Sequence, residues 1–321
     1  MRYGRLGDSG LLVSAVCLGG NSWGAAGRRA WAPFGKEESR PFFRRALDLG
    51  INFFDTADAY NDGDSESIVG ECLLGYAKRD DVVICTKVGH RLGNGPNDEG
   101  LGRKHILKSI DAQLKRLDTD YIDLYLMHLW DRVTPVEETL DALTSVVKAG
   151  KVRYIGGSNF PAWVFSEMLV LADLKGYARP VAMQNLYNLV QREEEREMIP
   201  LCQAKGVALT PYSPNARGFL AGNAGAGTER AKKDAIAQKQ DRRDCDHEIL
   251  AVLGAIAAAH GKSPAQIAMA WLWAKGITAP VIGATRLYYL DEAAGAVEIK
   301  LTGDEIARLE APYVYRGTAP L

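Results

Sequence analysis

Short apolar and β-branched runs recur along the chain at 16–20 (VCLGG), 52–55 (NFFD), 82–88 (VVICTKV), 121–128 (YIDLYLMH), 152–159 (VRYIGGSN), 181–188 (VAMQNLYN), 207–213 (VALTPYS) and 279–285 (APVIGAT). Runs that are apolar on both faces suit strands covered on both sides, as in a parallel sheet. Between them lie segments with polar stripes at helical spacing, such as ESRPFFRRALDLG, HILKSIDAQLKRL and VEETLDALTSVVKAG. Gly50 and Gly150 end two of these, as glycines that close helices do. The first seven strand starts fall roughly 26–39 residues apart, the repeat of a βα unit.

Eight such units predict a closed (β/α)8 TIM barrel in one domain, 1–321, with no linker. Ahead of the first strand, YGRL and LLVS flank Gly7, Asp8, Ser9 and Gly10, which predicts an N-terminal β-hairpin capping the barrel floor. The seventh connection, 214–278, is far longer than a simple loop. Its part at about 215–244 is polar and glycine-rich and is expected to be a lid. Two helical patterns follow, the second opened by Ser263 as cap and Pro264 at its first position. Extra C-terminal helices come after the eighth strand, one opened by a capping box of Thr302 and Glu305.

Composition narrows the function classes. Of 321 residues, 47% are hydrophobic and 25% charged, enough for a large core. With 39 basic and 40 acidic side chains the net charge is −1, which gives no field for gathering nucleic acid or an anionic membrane. Five cysteines without a C-x-x-C pair read as reduced core thiols. The first residues lack the pattern of a secretory leader and no apolar run is long enough to span a bilayer, so a cytoplasmic protein is expected. His90, His105, His128, His247 and His260 show no ligand spacing, so no metal is expected. The glycines at 222–227 follow no strand and precede no G-K-[ST], which removes the dinucleotide and phosphate-loop readings.

The carboxyl ends of the strands, the functional face of such a barrel, are unusually polar. Strand two ends in Asp55, with Thr56 and Tyr60 behind it; strand three ends in Lys87, strand four in His128 and strand five in Ser158 and Asn159. Strand six carries Gln184 and strand seven ends in Tyr212 and Ser213. Singly each has a structural reading: a helix cap for Asp55, a surface amine for Lys87, a core imidazole for His128. Barrel closure brings them around one point. There a buried lysine and aspartate pair, since neither tolerates burial alone. A phenol beside the ammonium releases its proton more readily. His128 can fix the direction of a substrate oxygen. The set donates a proton to a carbonyl oxygen but holds no nucleophile, so something external such as a hydride must attack the carbon. Trp23, Trp31, Phe34 and Trp130 follow strands one and four and are candidates for a substrate pocket, with core packing the competing role, above all for Trp130.

The chain resembles the aldo-keto reductase superfamily over nearly its whole length. The carriers are INFFDTADAY (51–60), VVICTKVG (82–89), YIDLYLMHLWD (121–131), GKVRYIGGSNF (150–160), MQNLYNLVQREEE (183–195), TPYSPNARGFLAG (210–222) and APVIGATRLYYLDE (279–292). It is most similar to bacterial members akin to aryl-alcohol dehydrogenases and to potassium-channel β-subunits. The resemblance implies Tyr60 as general acid, Lys87 with Asp55 tuning it, and His128 orienting the carbonyl. It implies NADPH/NADP+, with NAD possible, lying across the barrel mouth: the carboxamide near Ser158, Asn159 and Gln184, and the ring on Tyr212. The pyrophosphate would lie under 213–218, at Ser213, Pro214, Asn215, Arg217 and Gly218. The adenosine end would meet Gly283, Thr285, Arg286, Tyr289 and Glu292. A 2′-phosphate could be held by the Arg286 fork, which favours NADP. Asn215 stands where leucine is usual, Tyr289 where glutamine is common, Ala293 where asparagine is common, and Gly157 replaces a larger residue.

The resulting expectation is reversible reduction of aldehydes or ketones to alcohols, with small-molecule substrates and no nucleic-acid or membrane partner. The alternatives are a cofactor-binding regulatory or sensor subunit with slow or no turnover, and a barrel aldolase forming a Schiff base at Lys87. The substrate, the favoured direction, the stereochemistry and the oligomeric state are not read from the sequence.

Overall fold

A computed structural model describes residues 1–24, 34–223 and 242–316. Trp31, the glycines at 224–227 and most of the 215–244 segment lie outside the described residues. The chain opens with an antiparallel hairpin, β1 (Tyr3–Arg5) and β2 (Leu12–Ser14). Eight parallel strands follow: β3 (Cys17–Gly19), β4 (Phe53–Asp55), β5 (Val83–Val88), β6 (Ile122–Met127), β7 (Val152–Ser158), β8 (Pro180–Gln184), β9 (Ala208–Leu209) and β10 (Val281–Ile282). They pair in chain order, and β10 returns to lie beside β3. Closure between β9 and β10 rests on isolated contacts: a parallel bridge joins Tyr212 to Val281, the Val281 N–H donates to the Pro211 carbonyl at 2.8 Å and the Thr278 N–H to the Leu209 carbonyl at 3.0 Å. The fold is the expected (β/α)8 barrel.

The helices of the first five units are α1 (Lys36–Asp48), α2 (Asp64–Leu74), α3 (Arg103–Leu117), α4 (Val136–Lys148) and α5 (Ala162–Lys175). A shorter α6 (Met198–Ala204) follows β8. After the long connection come α7 (Asp244–His260) and α8 (Pro264–Ala274); beyond β10 lie α9 (Tyr288–Ala296) and α10 (Gly303–Glu310). The caps are those expected. Gly50 and Gly150 take φ of 77° and 75°, and Ser263 and Thr302 each anchor a capping box.

Two cores result from strand alternation. Cys17, Phe53, Val83, Cys85, Leu124, Leu126, Ala182 and Val281 fill the barrel, with Leu6 and Val13 of the hairpin plugging its floor. The outer core lies between strands and helices. Three strands are shorter than the apolar runs suggest: regular pairing stops at Gln184, Leu209 and Ile282 rather than at 188, 213 and 285. The chain leaves the ladder there, as at Ser213, whose φ of 56° cannot continue a strand. Tyr187 and Ala284 of those extensions are buried in the outer core, and Tyr212 packs against the barrel interior.

Trp23, expected at the substrate pocket, is fully buried with its ring 5.3–6.0 Å from those of Phe34, Phe42 and Phe43. It is a core residue, because α1 presents two phenylalanines to the loop after β3. Gly157 also has a packing cause. A Cβ there would come within 3.1 Å of Met183 and 3.3 Å of Phe165, so the space a larger residue would take is already filled.

Candidate active site

At the carboxyl rim β4 and β5 run on side by side past the regular ladder. Thr56 N–H donates to the Cys85 carbonyl at 2.8 Å and Asp58 N–H to the Lys87 carbonyl at 3.3 Å. This extension carries the chain from Asp55 round to Tyr60. On β5, Cys85 and Lys87 share the inward face, two residues apart, so the lysine stands above the barrel core. Asp55 pairs laterally with Cys85, one level below Lys87.

Lys87 is wholly buried, and its Nζ lies 2.7 Å from Asp55 Oδ1, 2.7 Å from the Thr56 carbonyl and 3.4 Å from the Tyr60 hydroxyl. Burial is the largest single effect and works against the ammonium, but the Asp55 carboxylate, together with Tyr60, Cys85 and the hydrogen bond to Asp55, outweighs it and holds the Lys87 pKa above the ordinary lysine value. The second carboxylate oxygen, Oδ2, accepts from Gln184 Nε2 at 3.0 Å. His128 approaches Tyr60 edge to face, ring centres 5.7 Å apart. All four residues expected from the strand ends therefore meet, joined by Gln184.

A second polar arc surrounds them. Asn159, in a left-handed conformation at φ 55°, donates from Nδ2 to the His128 carbonyl at 3.1 Å and to Ser158 Oγ at 2.9 Å. The Asn159 amide oxygen accepts from the Tyr212 hydroxyl at 2.9 Å. Ser158 Oγ donates to the Gln184 carbonyl at 2.7 Å, and Asn188 Nδ2 holds the Ser213 carbonyl at 2.9 Å. From Ser213 the backbone turns repeatedly through left-handed conformations, at Ser213, Ala216, Arg217 and Gly218. Within this run the Ala216 N–H donates to the Ser213 carbonyl at 3.0 Å and the Gly218 N–H to the Asn215 carbonyl at 2.8 Å. Pro214 is buried there, and Asn215 Oδ1 is buried without a hydrogen-bond partner among the described residues. Across the rim Gly283 and Arg286 are exposed, Thr285 and Tyr289 half-buried, and the Glu292 carbonyl accepts from Gln266 at 3.1 Å. Tyr289 packs edge-on against Tyr288 with ring centres 4.6 Å apart, and Ala293 is buried beside them.

Competing chemistries lack support among these groups. Burial pushes the Tyr212 phenol up to about 12, and its hydroxyl is already donated to Asn159. Burial, then the charge of Asp55, raises the Cys17 and Cys85 thiols well above their ordinary value, leaving neither as a ready nucleophile. Among the described residues no group of three His, Cys, Asp or Glu is disposed to hold a metal ion, and no helix is long and apolar enough to cross a membrane.

Two neighbours of the site are given no part in it by the sequence reading. His90, in the loop after β5, is exposed and meets His128 edge to face with ring centres 4.3 Å apart. Gln113 on α3 bonds the Lys87 carbonyl from outside the barrel. Its signal is a glutamine in the buried stripe of Ile106, Ile110 and Leu117. Trp130 is half-buried against the outer core, edge-on to Trp163 at 5.5 Å.

Residues 15–313 match the model of the Aldo/keto reductase family. The chain is 42% identical to versiconal hemiacetal acetate reductase of Aspergillus parasiticus, over 100% of this chain and 99% of that protein. It is 36% identical to a putative aryl-alcohol dehydrogenase of Saccharomyces cerevisiae, with 96% of each chain covered. An uncharacterized oxidoreductase of Bacillus subtilis is also 36% identical, over 96% of this chain and 94% of its own. The aryl-alcohol dehydrogenase likeness matches the expectation from the motifs; these relatives are mostly fungal, and they show neither the expected bacterial placement nor the likeness to potassium-channel β-subunits.

Proposed function

The chain belongs to the aldo/keto reductase family of oxidoreductases, which act on small carbonyl compounds, and we propose that it is an NADP(H)-dependent reductase of aldehydes or ketones, reversible toward alcohol oxidation. The observation that carries the proposal is the buried Lys87 ammonium, 2.7 Å from Asp55 and 3.4 Å from the Tyr60 hydroxyl, with His128 edge-on to the phenol. Tyr60 gives its proton to the carbonyl oxygen in reduction and takes it back in oxidation. Lys87 stabilises the phenolate left behind, and Asp55, held by Gln184, balances the ammonium. His128 sets the direction of the substrate oxygen. When bound, NADPH supplies the hydride for the carbonyl carbon.

The donor set fits that cofactor. Ser158, Asn159 and Gln184 offer amide and hydroxyl groups beside the Tyr212 ring, and the left-handed loop from Ser213 to Gly218 carries Arg217. Arg286 is exposed and forms no ion pair with the described residues, so its guanidinium is available to a 2′-phosphate. The names of the relatives, a hemiacetal acetate reductase and an aryl-alcohol dehydrogenase, support carbonyl and alcohol substrates.

The test is fluorescence titration of the purified protein with NADPH and NADH, followed by turnover of an aryl aldehyde. Tighter NADPH binding with repeated turnover is expected. Stoichiometric binding without turnover would move the protein to the cofactor-sensing class, and binding of neither nucleotide would overturn the proposal.

A further inference from the structure

Behind the catalytic lysine, on the outer face of β5, lies a second buried polar cluster. Thr86 points away from the barrel and donates to Glu66 Oε1 at 2.5 Å. The side chain of Glu66 is fully buried on α2. Its other oxygen receives Arg116 Nε at 2.7 Å and Nη2 at 2.6 Å. Gln113 stands at the centre. Its Nε2 reaches Glu66 Oε1 at 2.9 Å and the main-chain carbonyl of Lys87 at 2.9 Å, and its Oε1 accepts from the Tyr125 hydroxyl at 2.6 Å. Every one of these groups could have been apolar in a helix–sheet core, where a polar side chain is tolerated only if paired. Gly70 brings the helices close enough to build it: a Cβ there would lie 2.3 Å from the Leu117 carbonyl oxygen, so α2 and α3 meet at backbone contact.

We infer that Gln113 is a positioning residue for Lys87, acting through the lysine's main-chain carbonyl and held in place by Glu66, Arg116 and Tyr125. The inference rests on the reading of Tyr60 as proton donor given above. Lys87 has two short contacts, to Asp55 and Thr56, and one longer contact to the Tyr60 hydroxyl. The two short contacts tether the ammonium, whereas the Tyr60 contact at 3.4 Å lies at the outer edge of hydrogen-bonding range, so a small displacement of the lysine breaks that one first. The Lys87 carbonyl is pinned from two sides, by Gln113 and by the Asp58 N–H. Asp58 reaches Lys87 through its main-chain N–H, while burial followed by the charge of Glu66 holds its carboxyl well above the usual range.

The test is Gln113→Met, which keeps the volume and removes the donor. Alcohol oxidation at saturating NADP+ is followed across pH, beside NADPH affinity by fluorescence. Oxidation requires the phenolate, so activity rises with pH as Tyr60 loses its proton. With the lysine displaced, that limb is expected to move up by about one pH unit, with a rate deficit of about tenfold near neutrality that closes as pH rises. NADPH affinity is expected to stay within about threefold.

An equal loss at every pH with the limb unmoved overturns the inference, as does no loss at all. Should Gln113→Met fail to fold, Thr86→Val removes one bond to Glu66 in a side chain of nearly the same shape. The same upward shift at smaller size is expected there, and an unmoved limb overturns the inference. Wild-type protein with no NADP+-dependent turnover overturns the proposed function and this inference together, whereas turnover with an unmoved limb overturns the inference alone.

Discussion

Gln184 donates to Oδ2 of Asp55 at 3.0 Å while Lys87 occupies Oδ1 at 2.7 Å, so the carboxylate is held at both oxygens. The strand order explains the reach. Asp55 ends β4 and Gln184 ends β8, four strands round the closed sheet, so their side chains meet across the barrel mouth. The glutamine expected at the nicotinamide carboxamide thus also fixes the counter-ion of Lys87.

Gln184→Met should leave one Asp55 oxygen buried without a donor, a loss of about 1–3 kcal/mol. The expected outcome is a kcat lowered about tenfold or more together with weaker NADPH binding. A change in NADPH affinity alone, with kcat intact in stopped-flow turnover, would show that the Asp55 contact does nothing for the chemistry.

Tyr60→Phe should retain NADPH binding and lose about 10²–10⁴-fold in turnover, the usual contribution of a positioned acid. Fluorescence titration and steady-state rates on one preparation check both halves. Full activity in this variant would remove Tyr60 from the mechanism, with Tyr212 the next phenol to test.

Arg286→Ala should weaken NADPH about tenfold and NADH hardly at all, because a guanidinium on a phosphate is a charge-assisted contact that NADH does not offer. Equal weakening of both nucleotides would place the arginine elsewhere on the cofactor.

Trp23→Ala should cost about 3–5 kcal/mol in urea unfolding, the range for emptying a large aromatic from a core. An active, fully stable variant with altered substrate preference would return Trp23 to the pocket.

The loop after β6 carries an acid-sensitive clasp. Asp131 accepts from Leu101 N–H at 2.8 Å, Val133 N–H at 2.8 Å and Thr134 Oγ1 at 2.6 Å. Burial favours the neutral acid, but these hydrogen bonds, that of Thr134 foremost, prevail and lower its pKa below the ordinary aspartate value. A carboxyl whose pKa is depressed by folding contributes stability above its unfolded pKa and loses it as pH falls through the folded one. Thermal midpoints of the wild type should therefore fall on acidification below about pH 4. Asp131→Asn should start lower at neutral pH and show a shallower acid decline; parallel profiles would refute the assignment.

The sequence by itself determined the alternation of strands and helices, the hairpin, the caps at Ser263 and Thr302, and the placing of Asp55, Tyr60, Lys87 and His128 at successive strand ends. These follow from periodicity and from short-range backbone chemistry, which are carried by adjacent residues. Tertiary structure alone decided where the regular strands stop, how single contacts at Tyr212 and Val281 close the barrel, and that Trp23 is core. It also decided that Gln184 reaches Asp55, that His90 meets His128, and that Gln113 pins Lys87 from behind. Each of those depends on the stagger of a closed sheet or on how closely two helices approach, as at Gly70 and Leu117. Such distances are set by packing between segments far apart in the chain, and no local pattern of residues records them.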